Sequence, residues 1–123
     1  MKITDFRAAV APSHDEPRPD RLLSAHSPRR TTYEHYLSGD GAFSCGIWEC
    51  EPGEWRIRFA DDKHEFFCVI SGLVRLHDED GSVVCVAAGE AAVIPAGFSG
   101  RFEVVEAVRK YYVVYTEPPS AHT

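Results

Sequence analysis

The sequence predicts an all-β domain, and three observations support that prediction. Short runs of β-forming residues follow one another at close spacing, separated by turn residues. No segment of about 11 or more residues keeps a helical apolar period without an interrupting Gly or Pro. Asp80-Gly81 between two apolar runs is a strong hairpin signal. About eight short strands in this arrangement are typical of a sandwich or a barrel.

Length and charge limit the classes of protein that the chain can belong to. The 123 residues are enough for one domain. The 44% apolar and 26% charged content is that of an ordinary soluble globular protein. Because 13 Lys+Arg face 19 Asp+Glu, the net charge of −6 argues against nucleic-acid or anionic-membrane partners, which need a concentrated positive surface. The longest apolar run, residues 83–88, is far shorter than the roughly 18 residues of a membrane span.

The N-terminal part of the chain, residues 1–30, differs in composition from the rest. It contains Pro12, Pro17, Pro19 and Pro28 among many charges and few large apolar side chains. This composition predicts an extended arm that follows the surface of the domain or of a partner subunit. Residues 31–117 are predicted to form the folded domain, and residues 118–123 a flexible tail.

The domain is predicted to begin with a strand over residues 31–36, followed by a turn at residues 38–41. Further runs of β-formers lie at residues 43–50, 55–59, 65–71, 73–77, 82–87, 91–94, 100–105 and 109–116. The turn signals between them include Glu51-Pro52-Gly53, Ser71-Gly72, Asp80-Gly81 and Pro95-Ala96-Gly97.

Several of these strands are apolar on both faces, for example residues 65–70 and 111–115. A sheet with one face in water would alternate between apolar and polar residues. Burial of both faces therefore predicts that a second subunit covers the outer face of the sheet. The sequence predicts a homodimer.

The four cysteines, Cys45, Cys50, Cys68 and Cys85, form no CxxC pair and lie inside apolar strand-like segments. The N-terminus has no continuous apolar segment of the kind that a secretory signal contains. Buried thiols in a reducing compartment are expected rather than disulfides. The predicted location is the cytoplasm.

Two glycine-containing spacings carry a family resemblance. They are Gly53-x5-Phe59-x-Asp61-x3-Glu65-x6-Gly72 and Gly89-x5-Pro95-x-Gly97-x2-Gly100. They resemble the two motifs of the cupin superfamily, whose fold is a jelly-roll barrel (a double-stranded β-helix) with a cup-shaped interior. The phrases GIWECEPGEWRI and HEFFCVISGLVRL look closest to small single-domain cupins related to ureidoglycine aminohydrolase and to an ethanolamine-utilisation cupin. The resemblance covers residues 31–115 and implies a cupin barrel preceded by the arm.

The sequence departs from the cupin pattern at the metal-binding positions. Cupin metal sites use two His and the Glu of the first motif and the His of the second motif. This chain has Phe59, Asp61, Glu65 and Gly100 at those positions. A His-rich transition-metal site cannot be assembled from this set, so neither a metal nor another cofactor is predicted. Asp61 and Glu65 alone would hold a hard cation weakly, with added waters.

Glu65 is the predicted catalytic residue. The resemblance places it inside the barrel, where an unpaired carboxylate is costly and therefore needs a cation, a donor or a ligand. His64 is adjacent to it, and strand alternation turns His64 to the outer face. The predicted ligand-binding residues are aromatic or basic, with core packing or surface exposure as their alternatives, namely Trp48, Arg56, Arg58, Phe102, Lys110 and Tyr112.

Three functions follow as hypotheses. The first is a cupin that binds or acts on a small polar metabolite (a ureido, amino or carboxylate compound), with Glu65 as acid/base or orienting group and an Arg or Lys holding a carboxylate. The second is a metal-dependent enzyme of the ureidoglycine aminohydrolase type. The third is a non-catalytic dimeric module that binds a metabolite or a protein. The predicted partner is a small-molecule ligand.

Overall fold

The computed structural model describes residues 1–119, and these residues form strands, turns and loops without a helix. The strands are β1 (Ser13–Asp15), β2 (Arg30–Leu37), β3 (Phe43–Cys50), β4 (Gly53–Arg58), β5 (Lys63–Asp78), β6 (Val83–Ala87), β7 (Ala91–Ile94) and β8 (Ser99–Thr116). Every strand pair is antiparallel. The all-β prediction is confirmed.

No helix capable of crossing a membrane occurs in this part of the chain. Residues 120–123 of the predicted tail lie outside the described residues.

Two long paired strands, β5 and β8, organise the barrel. β8 pairs with β4 through residues 99–104 and with β3 through residues 108–115, and β2 and β1 continue the sheet beyond β3. β5 pairs with β7 in its first half and with β6 in its second half. The side chains on the inner face form a core that includes Phe67, Val69, Val74 and Val86, all fully buried. The predicted jelly-roll architecture is confirmed.

Two expected strand breaks are absent, and the reason is a glycine. Residues 65–71 and 73–77 belong to one strand, β5, because Gly72 bends it instead of ending it. Gly72 has φ +93°, and a Cβ added there would lie 2.2 Å from the carbonyl O of Ala107 on β8. The pairing register shifts at this point, yet both strands continue. Residues 100–105 and 109–116 therefore also form one strand, β8.

The N-terminal arm lies along its own domain. β1 pairs with β2, and Leu22 forms an isolated bridge with Trp55 of β4. Between these two attachments, residues 16–21 (hereafter the strap) pass from the β2 side of the barrel to β4. Pro17 of the strap is buried. The arm is thus attached to its own barrel at β2 and at β4.

Candidate functional site

A cavity of about 770 Å³ lies inside the barrel and is bounded by the strap and the inner face of the strands. All seven predicted site residues line it, although they come from four different strands: Trp48, Arg56, Arg58, Glu65, Phe102, Lys110 and Tyr112. The structure therefore places in one cavity the residues that the sequence selected separately. That they bind a ligand stays a prediction.

An ion pair between Lys110 and Glu65 lies in this cavity. Lys110 Nζ donates to Glu65 Oε2 at 2.7 Å, and the two side chains are 4% and 13% exposed. The pair forms because β5 and β8 face each other, with Val69 opposite Lys110 and Glu65 opposite Val114, so alternate residues of both strands point inward. The cation that the sequence analysis required for Glu65 is therefore Lys110, itself one of the predicted ligand-binding residues.

Three aromatic rings surround the ammonium group of Lys110. Its Nζ lies 4.6 Å from the ring centre of Trp48, 4.2 Å from that of Phe67 and 4.9 Å from that of Phe102. These cation–π contacts hold the lysine in place in a partly desolvated site. Phe67 was not among the predicted site residues. Its position two residues after Glu65 on the same strand face was the signal that would have found it.

Arg56 and Arg58 occupy a different part of the cavity. Both are exposed, because they alternate on β4 with the inward-facing Trp55 and Ile57. Arg58 donates to the backbone carbonyls of Phe59 and Gly97 at 2.7 and 3.0 Å. The two arginines therefore lie at the exposed edge of the cavity, whereas the Lys110–Glu65 pair is shielded from solvent.

Burial changes the ionisation of two groups in the barrel. It raises the pKa of Tyr112 to about 12, and the negative charges of Glu34, Cys45 and Glu65 add smaller contributions in the same direction. The Tyr112 hydroxyl, which lines the cavity, is therefore a neutral donor at physiological pH. Burial also raises the pKa of Cys50 to about 12, so this thiol is unreactive.

All four cysteines are free thiols, but they are not all buried. Cys50 is buried, Cys45 and Cys68 are partly buried, and Cys85 is exposed. The expectation of buried thiols was wrong for Cys85. It lies on β6, whose residues 83–85 are exposed because only one neighbouring strand, β5, pairs with it.

The residues at the cupin metal positions do not fit a metal ion. Phe59 is buried and Gly100 has no side chain, so neither offers a donor atom. The Asp61 side chain is 87% exposed and pairs with Arg58. Glu65 is already bonded to Lys110, whose positive charge opposes a cation at that place. The absence of a metal remains a prediction that the donor set supports.

A cluster of three potential metal ligands, Glu54, His77 and Glu103, occurs elsewhere in residues 1–119. None of its members lines the cavity. Glu54 pairs with Arg101, while Glu103 accepts from His77 at 2.8 Å and lies 3.8 Å from Arg75. Internal ion pairs therefore account for this cluster without an ion.

The arm supplies cavity residues that sequence reasoning missed. Asp15, Pro17, Arg18 and Arg21 all line the cavity. Asp15 forms an ion pair with Arg30 at 2.6 Å, and the Arg30 guanidinium carbon lies 5.3 Å from the centre of the Trp55 ring. The composition of the arm predicted extended chain, but no local pattern indicated which of its residues would face the barrel.

A jelly-roll barrel with a ligand-sized internal cavity and these two motifs defines the protein as a cupin. The EutQ-like cupin domain model matches residues 37–112, which is more than half of the chain. The chain therefore belongs to the EutQ-like cupin family.

Solved structures with the same fold include a protein of unknown function of the DUF861 family from Pseudomonas syringae pv. tomato. It is 27% identical with a TM-score of 0.75, and the match covers 89% of this chain and 46% of that one. The chain thus spans about half the length of that relative.

Two further similar structures are lower in identity and show the fold alone. The Clostridium difficile EutQ protein is 24% identical with a TM-score of 0.63, covering 83% of this chain and 80% of that one. A putative ethanolamine utilization protein Q from Salmonella typhimurium is 19% identical with a TM-score of 0.65, covering 90% and 100%. No curated protein matches this chain.

Proposed function

We propose that the cavity binds a small polar metabolite with an amino or ureido group, and that Glu65 orients it or accepts a proton from it. The observation that carries the proposal is the Lys110–Glu65 pair, which is nearly excluded from water at the inner face of a cavity of about 770 Å³. Stability alone does not explain a buried ion pair, since apolar residues of similar volume often stabilise a core as well or better.

Glu65 has hydrogen-bonding capacity left for a ligand. Its Oε2 accepts from Lys110, while Oε1 has no partner among residues 1–119. A ligand N–H can donate to Oε1, and the neutral hydroxyl of Tyr112 can donate to a ligand carbonyl. Trp48 and Phe102 supply the apolar wall against which a small flat group packs. The same carboxylate can act as an acid/base group for a bound substrate.

The test compares two adjacent residues of β5. Glu65→Gln keeps the side-chain shape and removes the charge, whereas His64→Ala changes the outer face. We expect N-carbamoylglycine, a small ureido acid, to bind the wild-type protein in calorimetry. Glu65→Gln should weaken binding about tenfold or more, because a hydrogen bond to a charged group is lost. His64→Ala should leave it nearly unchanged, and the reverse result would contradict the proposal.

The two alternatives differ in measurable ways. If binding of N-carbamoylglycine disappears after dialysis against a chelator and returns with Mn²⁺, the metal-dependent aminohydrolase-like function is favoured instead. If the compound binds but mass spectrometry finds it chemically unchanged after long incubation, the protein is a binding module.

The free thiols of the four cysteines support a location in the reducing cytoplasm.

We also propose that the protein is a homodimer, because its outer sheet face exposes large apolar side chains. Phe66, Val93, Tyr111 and Tyr115 are 46%, 61%, 46% and 43% exposed. They lie on adjacent strands, since Phe66 is paired with Val93 on β7 and Cys68 with Tyr111 on β8. A contiguous apolar surface of this kind is typical of an interface, and a second copy presents the same surface to it under two-fold symmetry.

A further inference from the structure

The strap and β4 bring two arginines together at the cavity wall. The backbone N–H of Arg56 donates to the carbonyl O of Arg21 at 2.9 Å, and both side chains line the cavity. Within residues 1–119, neither guanidinium has a carboxylate oxygen within 4.0 Å. Arg21 is also partly buried. Two neighbouring like charges repel each other, so an anion placed between them would stabilise the arrangement.

The other arginines of the cavity are already engaged. Arg18 pairs with Asp20 at 2.9 Å and Arg30 pairs with Asp15 at 2.6 Å. Arg58 donates to two backbone carbonyls. Among the arginines that line the cavity, Arg21 and Arg56 therefore remain without a partner within residues 1–119, and the lining Lys63 lies over the Phe59 ring at 4.5 Å.

The cavity as a whole is basic although the protein is acidic. Seven basic side chains against three acidic ones line it, a balance of +4, whereas the complete chain has a net charge of −6. A cleft lined by one sign of charge raises the local concentration of ligands of the opposite sign. The positive charge of the cavity lining therefore favours an anionic ligand over a cationic one.

We propose that Arg21 and Arg56 form a clamp for a carboxylate or phosphate group of the ligand, which makes the strap part of the binding site. The inference rests on the proposed function, since the other end of the same ligand would reach Glu65. A guanidinium matches both oxyanions because its N–H donors form parallel hydrogen bonds to two oxygens. The strap is anchored on both sides, by the pairing of β1 with β2 and by the bridge between Leu22 and Trp55, so Arg21 is held in place before the ligand arrives.

The experiment uses one pair of ligands that differs in charge but hardly in shape, and a second pair that distinguishes a phosphate from a carboxylate. Calorimetry on the full chain compares N-carbamoylglycine with its neutral amide, and inorganic phosphate with succinate, all at one ionic strength. The variants are Arg21→Gln and Arg56→Gln. The matched control is Arg7→Gln, because it removes the same charge from the same arm at a side chain that is 92% exposed and does not line the cavity.

We expect the anionic compound to bind wild-type protein at least about tenfold more tightly than its amide. Arg21→Gln and Arg56→Gln should each remove most of that difference, and Arg7→Gln should keep it. Phosphate binding without succinate binding would assign a phosphate-bearing ligand, and the opposite result a carboxylate.

Two outcomes would overturn the clamp. One is equal affinity of the acid and the amide for wild-type protein, and the other is undiminished anion binding in both arginine variants. If either occurs while Glu65→Gln still abolishes binding, the ligand site of the proposed function stands and the clamp alone is rejected. If Glu65→Gln binds as wild type while the arginine variants do not, the clamp stands and the role of Glu65 is rejected.

Discussion

Each of the two faces of β5 and β8 carries an exception to the usual distribution of side chains in a globular protein. The inner face carries an ion pair, Lys110–Glu65, that is almost completely buried. The outer face of the same strands exposes Phe66, Tyr111 and Tyr115 to water. Buried charges and exposed large apolar side chains are the two exceptions to ordinary burial that call for an explanation. In this protein, alternate residues of β5 and β8 provide both the buried charges and the exposed apolar side chains.

The two exceptions coincide with the two proposed binding surfaces of the protein. A jelly roll of this size needs an apolar inner face and a polar outer face for stability alone. Each departure from that pattern costs free energy, which the proposed polar ligand would offset on the inner face and the proposed second copy on the outer face. The predictions below test the two faces separately, beginning with the largest expected effect.

The largest effect is expected on the inner face, from Lys110→Met. Removing the lysine leaves Glu65 buried without a partner, which should lower the free energy of unfolding by about 3–5 kcal/mol. Urea denaturation at neutral pH measures this loss. The double variant Glu65→Leu/Lys110→Met should recover most of the stability, because it removes the second charge as well.

The control for that prediction is an ion pair of the outer face. Arg109 is the neighbour of Lys110 on β8 and pairs with Glu49 at 3.1 Å, but both side chains are well exposed. Arg109→Met should cost no more than about 1 kcal/mol, since exposed pairs contribute little. Equal losses for the Lys110 and Arg109 variants would remove the energetic distinction between the two faces.

The outer face is tested by Phe66→Glu. A carboxylate in the centre of the exposed apolar surface should weaken dimerisation about tenfold or more, because a well-packed aromatic residue often carries a large share of interface energy. Light scattering across a concentration series should show the variant dissociating where the wild type remains dimeric. Val84→Glu is the control, since Val84 is 54% exposed on β6, outside this surface. A wild-type protein that is monomeric at all concentrations would refute the dimer.

The sequence predicted most of the fold and the inward-facing residues of the site. The turns and alternating strands depend on neighbouring residues, so Glu65 and His64 could be assigned to opposite faces from local pattern alone. The partner of Glu65 could not, because the pairing of residues 65 and 110 depends on the register of two strands far apart in sequence. The resemblance predicted a cup-shaped interior, while the need for glycine at position 72 arises from the backbone of Ala107 on β8, which leaves no room for a Cβ.

The strap was the feature that the sequence could not place. Its prolines and charges predict extended chain and carry no periodicity. Its position is fixed by two distant attachments, β1 on β2 and Leu22 on Trp55. The proposed clamp therefore joins Arg56, which the cupin motif region identified, to Arg21, which only the tertiary structure identifies.

The smallest predicted effect compares adjacent tyrosines of β8 at alkaline pH. Burial raises the pKa of Tyr112 to about 12, well above the ordinary tyrosine value of about 10. A group whose pKa is higher in the folded state contributes stability that is fully present below its unfolded pKa. That contribution is lost as the pH rises through its folded pKa. Because the Tyr112 hydroxyl ionises more readily in the unfolded chain than in the folded one, stability should fall by about 1 kcal/mol by pH 11. The pKa of Cys50 is also raised to about 12, so its ionisation lowers the stability of the protein over an overlapping pH range. The two contributions must therefore be separated by substitution.

The separating variant is Tyr112→Phe, which removes the hydroxyl of the inner face and keeps the ring. Its free energy of unfolding, measured in urea, should fall by about 1 kcal/mol less than that of the wild type between pH 8 and pH 11. Tyr111→Phe is the matched control, because it removes a hydroxyl from the outer face, where the side chain is 46% exposed. The decline that remains in Tyr112→Phe should diminish further when Cys50→Ala is added. A Tyr112→Phe profile as steep as the wild-type profile would mean that the inner face of β8 admits water freely, and the cavity would then be a solvent channel instead of a shielded binding site.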